Sequence, residues 1–116
     1  MIRIQRGDIV LVNLDPVIGS EQGKTRPAMV IQNNIGNDNS PTTIVAPITS
    51  KVFTKEFPTN VQITSKESKL EKDSTILLNQ VRTIDKSRIV KILANKISNN
   101  IINKVNLAIK VSLDLE

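Results

Sequence analysis

A small, partly closed antiparallel β-barrel with one α-helix packed on it is the fold class this sequence predicts. Three observations point to it. Short runs rich in Ile, Val, Leu and Thr recur along the chain, beginning with Ile9–Leu14 and Ala28–Gln32, and their apolar density is that of buried strands. Clusters of Gly, Pro, Asn and Asp separate these runs and carry turn chemistry. Only the C-terminal stretch places its apolar residues at helical spacing.

Taken in order, Met1–Gln5 reads as a short, loosely held lead-in. Arg6-Gly7-Asp8 then precedes Ile9-Val10-Leu11-Val12, a β-branched run dense enough for a central strand. Ala28–Gln32 is a second strand, and Asn33–Ser40, rich in residues that tolerate left-handed backbone, is a turn or wide hairpin. Thr42–Ile48 is a third strand, with Pro47 suggesting an edge or bulge. Asn60–Thr64 alternates as a fourth, after a polar stretch carrying Phe53 and Phe57, the two aromatic residues of the chain. Ser65–Asp73 is a charged loop or single helical turn, Ser74–Val81 a fifth strand, Asp85–Arg88 a short helical turn and Ile89–Ala94 a further strand. Ser98 is placed to cap a closing helix through about Leu113. Ile101, Ile102, Val105, Ala108, Ile109 and Leu113 form its apolar stripe, and Leu107 and Val111 make a shoulder outside it. That shoulder is either a second contact, such as a dimer interface, or ordinary exposed residues.

Residues 1–116 form one domain, without internal repeats, low-complexity segments or a linker. A chain this long buries about two-thirds of its unfolded surface. No apolar run approaches the roughly 18 residues that a membrane span needs, and no signal-peptide pattern opens the chain. A cytoplasmic protein is expected. With no histidine and no cysteine, the usual His- and Cys-based nucleophile pairs are excluded, and so are disulfides and structural zinc sites. The net charge is +5. From Arg82 to Lys110 seven basic residues face one acid, Asp85. This is either a solvated face or a surface that attracts a polyanion.

The most informative stretch is Gly19-Ser20-Glu21-Gln22-Gly23-Lys24-Thr25-Arg26-Pro27. It lies in a long link between two strands, and links of that length in compact domains are usually functional or disordered. A carboxylate, an amide, a hydroxyl and two cations crowd within it. Pro27 pushes the preceding residue into extended geometry, so Arg26 stands at the mouth of a strand, a good place to hold a phosphate.

Several runs together resemble the MazF toxins: Arg6-Gly7-Asp8-Ile9-Val10, Asp15-Pro16-Val17-Ile18-Gly19-Ser20-Glu21-Gln22-Gly23, Arg26-Pro27-Ala28-Met29-Val30-Ile31, Pro47-Ile48-Thr49 and Leu78-Asn79-Gln80-Val81-Arg82-Thr83-Ile84-Asp85. Their order and spacing match over essentially the whole chain. The resemblance implies a mainly β protein with α, an SH3-like, partly open antiparallel barrel of five to seven strands with a C-terminal helix, assembled as a symmetric homodimer. It further implies the toxin half of a type II toxin–antitoxin pair. Such toxins cut single-stranded RNA at short sequences without metal or cofactor, in many cases leaving a 2′,3′-cyclic phosphate and a 5′-hydroxyl. A cognate antitoxin neutralises them by laying an acidic segment along the RNA groove. By position, the family's catalytic arginine falls on Arg26, its threonine on Thr49 and its loop glutamate on Glu21. Ser20, Gln22, Gln80 and Arg82 match positions in or near the RNA surface, and Lys24 and Phe57 join them as candidate RNA contacts.

The residue types fit that chemistry. A guanidinium fork binds phosphate oxygens bidentately, and a threonine hydroxyl adds a neutral donor. Guanidinium pKa lies above about 12, so Arg26 is an electrostatic clamp rather than a base. Glu21 is either the base for a 2′-hydroxyl or an ion-pair partner of Lys24 or Arg26. Gln80 and Arg82, two apart on one expected strand, would share a face. Phe57 is either a core residue or a platform for a base. A non-catalytic toxin that binds a protein target such as gyrase, or a plain RNA-binding module, are the competing functions, since fold does not fix function.

Overall fold

The computed structural model of the chain describes residues 2–116. Seven antiparallel strands build it: β1 (Ile9–Asn13), β2 (Thr25–Val30), β3 (Thr42–Thr49), β4 (Asn60–Ile63), β5 (Ser74–Leu77), β6 (Arg82–Asp85) and β7 (Ile89–Ala94). Three helices accompany them, α1 (Asn34–Asn39), α2 (Ser65–Ser68) and α3 (Asn99–Ser112). Strands pair in the order β4-β5-β3-β2-β1-β7, and β6 adds to β3. No pairing joins β4 to β7, so the barrel stays partly open, as expected.

Strand β3 is the pivot. Thr42–Val45 pairs with β6, Ile48 and Thr49 pair with β5, and Val45–Pro47 pairs with β2. Pro47 therefore marks no sheet edge. It falls where β3 changes partner from β6 to β5, a point at which a missing ladder donor is tolerated.

Alternation along the strands sorts the apolar side chains onto two faces. Ile9, Met29, Ala46, Ile48, Ile63 and Ile76 belong to one core, together with Ile101, Val105 and Ala108 of α3. Their neighbours Val10, Val12, Ala28, Val30 and Val45 belong to the other, with Ile84 and Leu14. Ile4 joins this second core and is buried. The lead-in is thus not loose over residues 2–5, because an apolar side chain anchors it; Met1 lies outside the described residues. Asp8 follows, nearly buried, with one carboxylate oxygen accepting from the Gln5 amide. Burial pushes its pKa up and that hydrogen bond opposes the shift.

The closing helix α3 has the expected bounds and cap, with Ser98 Oγ accepting from the Ile101 amide. Ile101, Val105 and Ala108 are buried, whereas Leu107, Val111 and Leu113 are exposed. Leu113 follows the last helical turn, which removes it from the stripe. Two other expectations are corrected. Residues 34–39 are helical rather than a hairpin, and the fifth strand ends at Leu77, giving way to a 3-10 turn over Leu78–Gln80 before the unexpected strand β6.

The helix at 34–39 exists because tertiary bonds override weak propensity. Asn33 caps it, its side chain accepting from the Gly36 amide. Asn37 is buried at 3% exposure. Its amide donates to the Gln32 carbonyl at 2.9 Å, and its Oδ1 accepts from the Thr43 hydroxyl at 2.7 Å.

Candidate active site

The link from residue 14 to residue 24 folds back on itself and is tied to the barrel at several points. The Leu14 amide donates to the Lys24 carbonyl at 2.9 Å, and the Lys24 amide donates to Asp15 Oδ1 at 2.7 Å. Lys24 adopts left-handed backbone, φ 64°, and is exposed. Gly23 lies so close to Asp15 and Val17 that a Cβ there would stand 2.6 Å from Asp15 Oδ1 and 2.7 Å from a Val17 methyl. Only glycine lets the two arms of the loop meet. Arg88 donates to the carbonyls of Asn13 and Asp15, and Arg82 donates to the Leu14 carbonyl at 2.7 Å. Arg82 is therefore at least partly an anchor of the loop.

Arg26 is the second residue of β2 and half-buried. Its Nε donates to the Gly23 carbonyl at 2.6 Å and one terminal nitrogen donates to Gln22 Oε1. A guanidinium has five N–H groups, so the fork is oriented by two bonds and keeps donors for a ligand. The Gln22 amide in turn donates to Gln80 Oε1 at 2.9 Å. A chain of hydrogen bonds thus runs from the 3-10 turn through the loop to Arg26, and Gln80 holds the loop in place. Gln80 and Arg82 lie on a turn and a strand respectively, not on one strand as expected, yet both reach the same concavity.

Thr49 ends β3. It pairs with Thr75 of β5, and the β2–β3 ladder runs from Val30–Val45 to Ala28–Pro47, so Arg26 and Thr49 each lie two residues beyond the same end of that ladder. The Thr49 hydroxyl oxygen accepts from the Lys51 amide at 3.2 Å, which leaves its proton to donate elsewhere.

Ser20, Glu21, Gln22, Pro47, Asn79, Gln80 and Arg82 line a concavity of about 440 Å³. Glu21 is exposed and accepts from the Ile18 amide at 2.5 Å through one carboxylate oxygen. It makes no ion pair with Lys24 or Arg26, so the ion-pair alternative is not realised. The second oxygen remains open. Asn79 is a lining residue of this concavity that the sequence does not single out, because it carries no periodicity or charge that distinguishes it.

Phe57 stands elsewhere. Its ring packs edge-on against Phe53, 5.6 Å between centroids, and lines a separate groove with Leu107 and Val111 of α3. It shares no concavity with Arg26 or Glu21, and neither Arg26 nor Thr49 lines the concavity that holds Glu21. Among the described residues there is no cluster of three or more His, Cys, Asp or Glu side chains with metal-binding proximity.

Comparison with known proteins decides the family. The family profile described as "PemK-like, MazF-like toxin of type II toxin-antitoxin system" matches residues 5–113. The chain belongs to the PemK/MazF-like toxin family. It is 46% identical over 112 residues to endoribonuclease EndoA of Bacillus subtilis, covering 97% of this chain and 96% of that protein. It is 48% identical over 112 residues to endoribonuclease MazF of Staphylococcus saprophyticus, covering 97% and 92%. Among solved structures, MazF from Deinococcus radiodurans superposes with a TM-score of 0.83 at 24% identity, covering 99% of this chain and 100% of that one. A mycobacterial endoribonuclease solved with its cognate antitoxin superposes with a TM-score of 0.78 at 18% identity, covering 97% of each chain. At those identities the superpositions establish the MazF fold, with the same barrel and closing helix.

Proposed function

We infer that this chain, a MazF-type toxin endoribonuclease, cleaves single-stranded RNA at Arg26 and Thr49 without metal or cofactor. The observation that supports the reading is a guanidinium pre-oriented by Gly23 and Gln22 and a hydroxyl with a free proton, each two residues beyond the same end of the β2–β3 ladder. The substrate's 2′-oxygen attacks the adjacent phosphorus as the bond to the 5′-oxygen breaks, leaving a 2′,3′-cyclic phosphate and a 5′-hydroxyl. Arg26 holds the non-bridging oxygens on which charge develops, and Thr49 donates a further hydrogen bond. The open oxygen of Glu21 takes the 2′-hydroxyl proton, and water protonates the leaving 5′-oxygen. Preorganised donors of this kind are commonly the largest catalytic contribution. Ser20, Gln22, Lys24, Gln80 and Arg82 line the path of the bound strand. Phe57 contributes to RNA binding only if the strand extends into the groove beside α3.

Purified protein incubated with a long RNA in EDTA gives discrete fragments with 5′-hydroxyl and 2′,3′-cyclic phosphate ends. Intact RNA across many sequences overturns the cleavage reading. A toxin that binds a protein target such as gyrase has no use for a phosphate clamp at Arg26, and the relatives above are named endoribonucleases.

The partners follow the charge and the exposed apolar surface. A net charge of +5 suits both RNA and an acidic antitoxin segment laid over the same surface. Leu107 at 62% and Val111 at 54% exposure, with Phe57 at 44%, form an apolar face suited to a second copy in a homodimer. Light scattering at micromolar concentration reads twice the chain mass; a monomer at that concentration removes the dimer. Among the described residues no helix is long and apolar enough to cross a membrane, and the proposed site of action is the cytoplasm, where messages are translated.

A further inference from the structure

Arg26 lines a second concavity, which includes neither Gln80 nor Arg82. This cleft, about 650 Å³, is lined by Arg26 and Ser50 and by Lys69, Lys72 and Lys91. Its floor is apolar, formed in part by Leu70 and Leu93. The lysines come from two places in the chain: the short link from α2 to β5, which carries Lys69 (left-handed, φ 62°) and Lys72, and the exposed face of β7, where Lys91 pairs with Leu11. No local helical or strand pattern accounts for their convergence. Glu71 is the one acid lining the cleft, and among the described residues the one ion pair is Arg3–Asp38, so none of the three lysines is neutralised by a partner. The hydrogen bond from Arg26 to Gln22 links a residue lining this cleft to one lining the other concavity.

We propose that Lys69, Lys72 and Lys91 hold backbone phosphates of the RNA flanking the cleavage site, so that the substrate site extends past the recognised bases into this cleft. The inference rests on the endoribonuclease reading. Lysine ammonium groups bind phosphates as point charges without reading bases, so the extension strengthens binding to long messages whatever their flanking sequence.

The test compares two oligonucleotides that share the cleaved sequence, one trimmed to it and one with mixed-sequence flanks. Wild-type protein has a KM at least about tenfold lower for the long one. The variant Lys69→Gln/Lys72→Gln/Lys91→Gln loses that advantage. Its plot of log(kcat/KM) against log salt on the long substrate is shallower by about two, at roughly 0.7 per single-strand phosphate contact. Should the triple variant not fold, Lys72→Gln/Lys91→Gln shows a slope reduced by about 1.4, and Lys72→Arg/Lys91→Arg, which keeps the charge, retains the wild-type slope. A variant that keeps the length advantage and the salt slope overturns the proposal, the outcome expected if these lysines serve an acidic protein segment instead. A wild type without any length preference overturns it too. Absence of all RNA cleavage by folded wild-type protein is a different result, and it removes the endoribonuclease reading itself.

Discussion

Arg26→Ala lowers kcat/KM for RNA cleavage by at least about 10²-fold, the scale of one lost transition-state donor, while the protein stays folded. The loss is confined to catalysis because Arg26 is only half-buried and its two bonds go to the loop, at Gly23 and Gln22, not to the core. The strands on either side are held by their own ladders and by the two apolar clusters. Arg26→Lys retains the charge but not the planar fork that reaches Gly23 and Gln22 together and still faces a phosphate. It therefore recovers only a small part of the activity. Cleavage rates on one oligonucleotide, with a circular dichroism spectrum to confirm the fold, measure both effects. Activity within a few-fold of wild type in Arg26→Ala removes this residue from the mechanism.

Asn37→Ala produces the larger effect on stability. The Thr43 hydroxyl, fully buried, loses its acceptor, and the Gln32 carbonyl loses its donor. Buried groups left unsatisfied cost about 1–3 kcal/mol each, so a loss of about 3 kcal/mol is expected, which lowers the melting temperature of a domain this size by more than about 10 °C. The damage reaches beyond α1, because the Lys86 ammonium also donates to the Asn37 carbonyl and ties this helix to the turn before β7. Adding Thr43→Val removes the orphaned hydroxyl and restores part of the loss. Thermal unfolding of the three proteins checks the series, and a melting temperature unchanged by Asn37→Ala contradicts the network.

The same network explains what was hidden from the sequence. Asn34-Ile35-Gly36-Asn37-Asp38-Asn39 has poor helix propensity. Its helix depends on bonds from distant residues, among them the Arg6 amide to Asn34 Oδ1 at 2.7 Å. Strand β6 was masked for a different reason. The apolar run Ser74–Val81 reads as one strand, but Leu78–Gln80 turns as a 3-10 helix, and the pairing that makes Arg82–Asp85 a strand comes from β3. By contrast α3 was legible almost to the residue, since its stripe and its Ser98 cap are local signals. The site divides the same way. A crowded polar loop before a strand was visible in the order of residues, and the resemblance to MazF toxins named Arg26, Thr49 and Glu21. Where these three stand relative to one another depends on strand pairing and loop folding, which arise only when the barrel forms. The cleft of Lys69, Lys72 and Lys91 was invisible because only the fold brings Lys91 of β7 to the loop that carries the other two.

The sharpest measurement of the central claim is a double-mutant cycle on cleavage with Arg26→Ala, Thr49→Ala and the combined variant. If both side chains hold one phosphate, losing the clamp already misplaces it from Thr49, and groups that act as a unit are strongly non-additive. The combined variant then cleaves only slightly more slowly than Arg26→Ala alone. Losses that multiply in full show two independent contributions, and the shared phosphate between positions 26 and 49 falls with them.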